Sequence, residues 1–509
     1  MNLCPGRRVG LLVAAFLAVT LVGSWPRAAF AGGDRADEAM STIRPEAIRG
    51  DMRFLSDDLL EGRGTGTRGY ELAAKFMATQ FEALGLQPAG DGATYFQSVP
   101  LRSLRADESQ AALTWTRGGK EEALAFRADY ILHGDPGRAE SSLEAPVVFV
   151  GFGVTAPEQG YDDYRGMDTR GKIVAFAFGA PNFASSLKAH YSSGSVKAKN
   201  AVSHGAVGII LVDDPVLEQV YSFRKRVADL ARPEFRWLDK QGQPNDYYPE
   251  LKCSAALSLA ATRKFFEGSP HSADEVFRAA EAGKATSFAL PITAKIHTVT
   301  RWQDVRSPNV VAKLEGSDPA LQNQYLVYTA HLDHLGIGEA EQGDKIYNGA
   351  LDNATGSAIL LESARAFRSM NPRPRRSILF VSVTGEESGL LGSDYFVHYP
   401  TVAKSSIVAN LNTDMDLMLL APRRHRGIWS RAFFPGSSDP KSDGAHAPDR
   451  ESGPPCPAGH LHSERPVFLC EAGNSRGHAL SGLQVQRSEN CSVRDSGKVG
   501  GNSISPAPG

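Results

Sequence analysis

Three short apolar runs in the second half of the chain each stop at a small group of polar side chains. The apolar runs cover residues 326–328, 378–381 and 407–409. The polar groups that follow them cover residues 331–334, 385–387 and 412–414, in the same order. Short β-branched runs that alternate with helical patterns are typical of a parallel sheet. Ligands bind at the carboxyl ends of the strands in open α/β sheets, so these polar groups are predicted to converge on one site.

The polar groups contain side chains that bind divalent metals. His331 and Asp333 follow the first run, Glu386 and Glu387 follow the second, and Asp414 follows the third. A mixture of imidazole and carboxylate ligands favours zinc among the divalent metals. The sequence therefore predicts a divalent metal centre, with zinc as the favoured ion.

The spacing of these residues suits a hydrolase with two metal ions. Asp352 stands where a loop enters a predicted helix, so its carboxylate is free to bridge two ions. Glu386 and Glu387 are adjacent and point to different sides of an extended backbone, so one can bind metal while the other acts as a base. Asp333 is close enough to His331 to hold the ring nitrogen that does not bind metal.

His334 is the least certain member of the group. Its position allows a supporting or structural role as readily as a ligand role. Taken one at a time, the acidic residues also fit helix caps or surface charges. Their common position at strand ends is what favours a two-metal site, in which ions about 3.5–4 Å apart activate one hydroxide.

Length and charge limit the remaining possibilities. A chain of 509 residues exceeds one hydrophobic core, so two or more domains are expected. The net charge of -2 and the pI near 6.7 give no basic surface for nucleic acid or an anionic membrane. A soluble enzyme or binding protein is the default expectation.

The first 31 residues have the pattern of a secretory signal peptide. Arg7 and Arg8 precede an apolar run over residues 9–22, and Ala29 and Ala31 form a small-residue cleavage site. An uncleaved anchor is the alternative, but the run is short for a span of roughly 20 residues. The prediction is a secreted or periplasmic protein with no stable membrane span after removal of the signal.

The rest of the chain divides into four segments. Residues 32–140 begin with a helix, loop, helix pattern, and residues 141–295 form an inserted domain of short strands and helices. Within that insertion Asp162, Asp163 and Tyr164 are predicted to be turn and surface residues. Residues 296–420 contain the metal-binding groups, and residues 421–509 lose the apolar periodicity and are predicted to be disordered.

Four motifs resemble the metal-site motifs of the M28 family of zinc peptidases, which are mostly aminopeptidases. The motifs are His331-Leu332-Asp333-His334-Leu335-Gly336, Asp352-Asn353-Ala354-Thr355-Gly356, Thr384-Gly385-Glu386-Glu387-Ser388-Gly389, and Asn412-Thr413-Asp414-Met415. Residues 55–66 look like the N-terminal segment of secreted bacterial members. Residues 197–201 and 205–210 resemble a protease-associated (PA) domain.

The resemblance covers roughly residues 43–420 and implies a fold and a ligand set. The fold is α/β, with a mixed, mainly parallel sheet flanked by helices and an inserted β-rich PA domain. Carried over by position, His331 and Asp414 bind one zinc, Asp352 bridges both ions, and Glu387 binds the other. Glu386 is then the general base, and Asp333 orients His331.

The second zinc of the family normally has one more histidine ligand from the C-terminal part of the domain, and this sequence departs there. Read one nucleotide later, the codons behind residues 421–436 are permitted by the genetic code to spell P-L-x-D-I-V-A-F-G-A-E-H-S-S-L, which resembles family members after the Asn-x-Asp motif. We hypothesise that a frameshift replaced the native C-terminus. The rival expectation is that a histidine of the tail completes the site.

The function predicted from the sequence is a secreted zinc aminopeptidase that removes N-terminal residues from peptides with a hydroxide activated by two zinc ions. A non-catalytic binding protein on the same scaffold is the alternative, because one zinc ligand is missing. A carboxypeptidase or another amidohydrolase that uses the same metals also remains open.

Overall fold

A computed structural model describes residues 31–415 of the chain. The helices are α1 (Ala31–Ser41), α2 (Pro45–Leu55), α3 (Arg68–Ala83), α4 (Ser185–Ser192), α5 (Gly194–Ser203), α6 (Pro215–Val220), α7 (Phe223–Asp229), α8 (Leu259–Phe265), α9 (Ala273–Glu281), α10 (Thr355–Ser369) and α11 (Leu391–His398). Short helical turns cover Asp58–Arg63 and Ala350–Ala354. The signal peptide and the tail over residues 421–509 lie outside the described residues.

The strands alternate with these helices along most of the chain. They are β1 (Gln87–Pro88), β2 (Phe96–Ala106), β3 (Ala112–Arg117), β4 (Lys120–Ala123), β5 (Tyr130–Leu132), β6 (Glu140–Val150), β7 (Thr155–Ala156), β8 (Tyr161–Asp162), β9 (Ile173–Ala177), β10 (Gly208–Val212), β11 (Glu234–Trp237), β12 (Ser254–Leu257), β13 (Ser287–Leu314), β14 (Tyr325–His331), β15 (Gly336–Glu341), β16 (Asp344–Tyr347), β17 (Ser377–Val383) and β18 (Ile407–Asn412).

The predicted mixed α/β fold is confirmed. The main path through the large sheet has the order β18-β14-β17-β13-β6-β9-β10-β12-β5. The strands β18, β14 and β17 run parallel, as do β6, β9, β10 and β12. Between these groups β13 runs antiparallel to both β17 and β6.

Helices cover both faces of the parallel strands that lead to the site. Successive side chains of a strand point to opposite faces, and β17 is buried along its whole length. On one face Phe380 lies beside Phe81 of α3 and Phe367 of α10. On the other face Leu379 packs in a cluster with Phe396 of α11. This packing fixes the carboxyl ends of β14 and β17 side by side.

The strand β13 crosses the predicted boundary between residues 295 and 296. Its first half pairs with β6, and its second half pairs with β2 over Thr300–Val310. The residues from Arg301 to Asp304 within this strand are exposed. The assignment of residues 141–295 to a PA domain stays a prediction.

A segment of the predicted insertion also packs against the metal-binding part of the chain. The strand β11 pairs antiparallel with β2. The Trp237 indole N–H donates to Asp394 of α11 over 2.7 Å, and the Trp237 ring contacts Tyr395 edge-on. The insertion is thereby attached to the helix that follows Glu386 and Glu387.

The prediction of Asp163 and Tyr164 as surface residues is wrong. Their exposed fractions are 6% and 3%. The Asp163 carboxylate accepts hydrogen bonds from the amides of Phe152 and Val154 at 3.0 Å and from the Tyr161 hydroxyl at 2.6 Å. A buried carboxylate held by backbone donors has the same sequence signature as a turn residue, because both are short polar side chains in a stretch bounded by glycines, here Gly160 and Gly166.

No helix within residues 31–415 is both long enough and apolar enough to cross a bilayer.

Candidate metal centre

The elements bring all of the sequence-predicted ligands to one place. His331 is the last residue of β14, Glu386 and Glu387 follow β17 by three and four residues, and Asp414 follows β18 by two. Asp352 lies in the turn that enters α10. The ligand atoms of these side chains fall into groups in which all atoms lie within 4.8 Å of one another.

The first group consists of His331, Asp352 and Asp414. The Nε2 atom of His331 lies 3.0 Å from Asp352 Oδ1 and 3.3 Å from Asp414 Oδ1. This nitrogen is buried and has no partner with hydrogen-bond geometry among the described residues. Ligand atoms bound to one tetrahedral zinc at 2.0–2.1 Å are about 3.3 Å apart. The three side chains therefore fit a zinc ion.

The other ring nitrogen of His331 is held by the backbone. Its Nδ1 lies 3.0 Å from the carbonyl oxygen of Asp333, whereas the Asp333 carboxylate is 3.9 Å away. The sequence analysis assigned the orienting role to the carboxylate. A carbonyl acceptor serves the same purpose, because it makes Nδ1 the protonated nitrogen and leaves Nε2 free for metal.

The Asp333 carboxylate links two ligand loops instead. It is fully buried and accepts hydrogen bonds from the amides of Glu386 and Glu387, at 3.1 and 3.3 Å. The Thr65 hydroxyl donates to the same carboxylate over 3.1 Å. Burial raises the pKa of Asp333, while a charged His331 and the two amides act in the opposite direction. Asp333 thus fixes the loop after β17 relative to the end of β14.

The second group consists of His334, Asp352 and Glu387. The Nδ1 atom of His334 lies 2.6 Å from Glu387 Oε1. Asp352 belongs to this group and to the first one, so its carboxylate lies between them. This is the position that the sequence predicts for a bridging ligand.

Glu386 lies beside the first group and is mostly buried. Its Oε2 is 3.9 Å from His331 Nε2, and 24% of its side chain is exposed. Burial raises the pKa of Glu386 to about 7, with the nearby carboxylates adding to the rise and His331 opposing it. A carboxylate with this pKa accepts and returns a proton readily near neutral pH. Glu386 also forms a ligand-type group with His331 and Glu387.

The loop that contains Asp352 is tied to the end of β18. Asn353 is buried, donates from Nδ2 to the carbonyl of Thr413 over 3.0 Å, and accepts from the amide of Gly356 at 2.9 Å. Asp352 and Asp414 are neighbours of these bonded residues. Asn353 thus ties the loop that contains Asp352 to the backbone just before Asp414.

Sequence analysis gave no role to Arg63, which the structure places directly behind the site. Its side chain is completely buried and donates to the carbonyls of Leu332, Asn348 and Gly349 at 2.8, 2.7 and 2.9 Å, and also to that of Leu55. Burial lowers the pKa of Arg63 to about 10. One guanidinium thus connects the segment that contains His331 with the loop that precedes Asp352.

One sequence signal points to this part of the chain. Arg63 lies between Gly62 and Gly64 in a glycine-rich stretch, and the same stretch provides Thr65. Glycine-rich backbone permits close approach to another segment. The stretch did not show which segment it approaches, because its contacts lie more than 260 residues away.

The site residues lie in a part of the chain that matches a known protein-family model. Residues 309–419 match the model of peptidase family M28. Among curated relatives, the mouse aminopeptidase NAALADL1 is 30% identical over 147 residues, which are 28% of this chain and 18% of the relative. A probable zinc metalloprotease of Leptosphaeria maculans is 31% identical over 151 residues, 30% of this chain and 33% of the relative.

One further relative is similar over a shorter stretch, and one solved structure is similar at lower identity. The leupeptin-inactivating enzyme 1 of Streptomyces exfoliatus is 35% identical over 108 residues, 21% of this chain and 22% of the relative. The chain thus spans between about a fifth and a third of the length of these curated relatives. An aminopeptidase structure from Aneurinibacillus sp. strain AM-1 aligns with 75% of this chain and 72% of its own, at 18% identity and a TM-score of 0.42.

Proposed function

We propose that the chain, whose residues 309–419 match the model of peptidase family M28, is an exported aminopeptidase that depends on two zinc ions. The single observation that supports this most is the buried Nε2 of His331. It has no hydrogen-bond partner among the described residues and faces Asp352 and Asp414 at the spacing of zinc ligands.

The charge of the site supports two ions rather than one. Five carboxylates surround it, and the nearby buried cation is Arg63. The carboxylates belong to Asp333, Asp352, Glu386, Glu387 and Asp414. When all are ionised, the excess of four negative charges equals the charge of two divalent cations. Carboxylates held this close together repel one another, and bound cations offset that repulsion.

The residues have separate tasks in peptide hydrolysis. His331 and Asp414 would hold one ion, Glu387 the other, and Asp352 both. The chemistry that zinc supplies when bound is activation of water and polarisation of the scissile carbonyl. Glu386 takes a proton from the water as its oxygen attacks the carbonyl carbon. Glu386 then gives that proton to the amine nitrogen as the carbon–nitrogen bond breaks.

Restriction to N-terminal residues is the finer part of the proposal. It is supported by the aminopeptidase name of the mouse relative, which covers part of this chain. Export is supported by the predicted signal peptide in residues 1–31. A non-catalytic binding protein would share the fold but would bind no zinc and release no product.

A peptide digestion separates these possibilities. The full chain is incubated with zinc and a peptide in free and N-acetylated form, and products are followed by mass spectrometry. We expect stepwise loss of N-terminal residues from the free peptide alone. Glu386→Gln is expected to reduce turnover by about 10²–10⁴-fold and to retain zinc. Equal turnover in that variant refutes the assigned base, and cleavage from the other end refutes the aminopeptidase.

A further inference from the structure

We infer that His334 provides the nitrogen ligand of the second zinc ion in this chain. The inference rests on the proposed two-zinc function and concerns a residue that sequence analysis left open. It places the third protein ligand of that ion within the described residues, 31–415, instead of in the tail.

The second ion needs a third protein ligand. Catalytic zinc sites commonly have three protein ligands and one open position. Asp352 and Glu387 provide two of these ligands for the second ion. Among the described residues, the group that contains both of them is completed by His334.

Neighbouring segments hold His334 in position. Its amide donates to the carbonyl of Arg63 over 3.2 Å. A Cβ added at Gly349 would lie 2.4 Å from the imidazole Cγ, so the ring packs directly on that glycine. Gly349 also has a φ of +60°, which other residues rarely adopt. The imidazole is 12% exposed and is held facing Glu387.

The distance between His334 and Glu387 agrees with exchange of a proton for a metal ion. Their 2.6 Å separation is that of a hydrogen bond between an imidazole N–H and a carboxylate. Two ligands on one zinc are about 3.3 Å apart. A widening of several tenths of an ångström would accommodate the ion, which would bind the imidazole at a ring nitrogen that carries no proton. The flexible Glu387 side chain can provide most of this widening.

Zinc stoichiometry of the full chain tests the inference. The protein is dialysed against buffer with a fixed low zinc concentration, and zinc per chain is measured by inductively coupled plasma mass spectrometry. We expect two zinc ions in the wild type and one in His334→Ala. His334→Cys, which restores a zinc ligand, is expected to bind two.

Two control variants distinguish His334 from other histidines. His398 lies on α11 with its Nδ1 2.9 Å from the Asp394 carbonyl, so His398→Ala is expected to keep two ions. A variant with alanine at all five tail histidines is also expected to keep two. The replaced residues are His425, His446, His460, His462 and His478.

The outcomes separate this inference from the proposed function. A wild type that binds no zinc contradicts the proposed function itself. Two ions in both the wild type and His334→Ala overturn only the role of His334. Loss of one ion in the tail variant also overturns it, because a tail histidine is then the ligand. If His334→Ala loses both ions, recovery of two in His334→Cys supports the inference and failure to recover contradicts it.

Discussion

Glu386 is the general base in the proposed function, and its burial also has a cost to stability. Its pKa of about 7 in the zinc-free fold lies above the ordinary value of 4.5, so the folded state holds a proton that the unfolded chain has lost. The protonated carboxyl contributes its full stabilisation below about pH 4.5. That contribution is lost as the pH rises through 7, because the buried group must then ionise.

A neutral replacement should remove this cost. We expect zinc-free Glu386→Gln to be more stable than zinc-free wild type at pH 8, by on the order of 1–3 kcal/mol. The difference should shrink toward zero near pH 4.5. Urea unfolding at both pH values measures it, with the exposed Glu121→Gln as control. A variant that is no more stable than wild type at pH 8 contradicts the assigned pKa.

Arg63 acts through other residues, and its removal should affect both folding and metal affinity. Arg63→Met leaves the carbonyls of Leu332, Asn348 and Gly349 without their donor. Unpaired buried acceptors cost about 1–3 kcal/mol each when they cannot reach water. We expect a loss of about 2–4 kcal/mol in the free energy of unfolding. We also expect Arg63→Met to lower zinc affinity by about 10–100-fold, which is the typical effect of losing a residue that holds metal ligands in place.

The control for Arg63 is a neighbouring arginine on the surface. Arg68 is 72% exposed and lies 3.8 Å from Glu61, so Arg68→Met should change stability by less than about 0.5 kcal/mol. Chemical unfolding and a competition assay with a zinc chelator measure the two quantities. Zinc affinity equal to wild type in Arg63→Met would show that the ligand loops keep their positions without the guanidinium.

At the scale of elements, α3 approaches the turn before Arg63 through a glycine. A Cβ at Gly69 would lie 1.8 Å from the Leu60 carbonyl oxygen, whereas a Cβ at Gly50 on α2 meets nothing within 4 Å. Gly69→Ala should therefore destabilise the fold by about 1–3 kcal/mol, because backbone must move. Gly50→Ala should stabilise it by about 0.5–1 kcal/mol through helix propensity. Equal thermal unfolding of both variants would contradict the packing of α3.

The elements around the site were predictable where a local pattern determined them. The apolar runs of β14, β17 and β18 end just before His331, Glu386 and Asp414, and strand ends of a parallel sheet meet at one edge. The continuity of β13 was not predictable from its own residues. Its exposed stretch near Arg301 is strand only because β2 pairs with it.

The supporting residues could not be predicted for a related reason. Arg63, Thr65 and Asn353 hold ligand loops through hydrogen bonds to segments 60 or more residues away. A local pattern contains no information about such partners. The side chains that meet at the site were therefore predictable, whereas the network that positions them required the fold.

At the scale of the whole molecule, the C-terminal prediction lies outside the described residues. Within residues 31–415, the last strand β18 is at one end of the sheet order. The frameshift hypothesis stays a prediction, and the gene sequence around the codon for Leu420 tests it. The codons should spell the family-like string one nucleotide later, and any other string rejects the hypothesis.

The central claim is that three strand ends and one loop form a two-zinc site, and anomalous X-ray diffraction at the zinc edge tests it most directly. Crystals of the zinc-loaded chain should show two anomalous peaks about 3.5–4 Å apart. One peak should lie among His331, Asp352 and Asp414, and the other beside Glu387. The account would be contradicted if the crystals showed no anomalous peak at these side chains, whether or not zinc was bound at another place in the crystal.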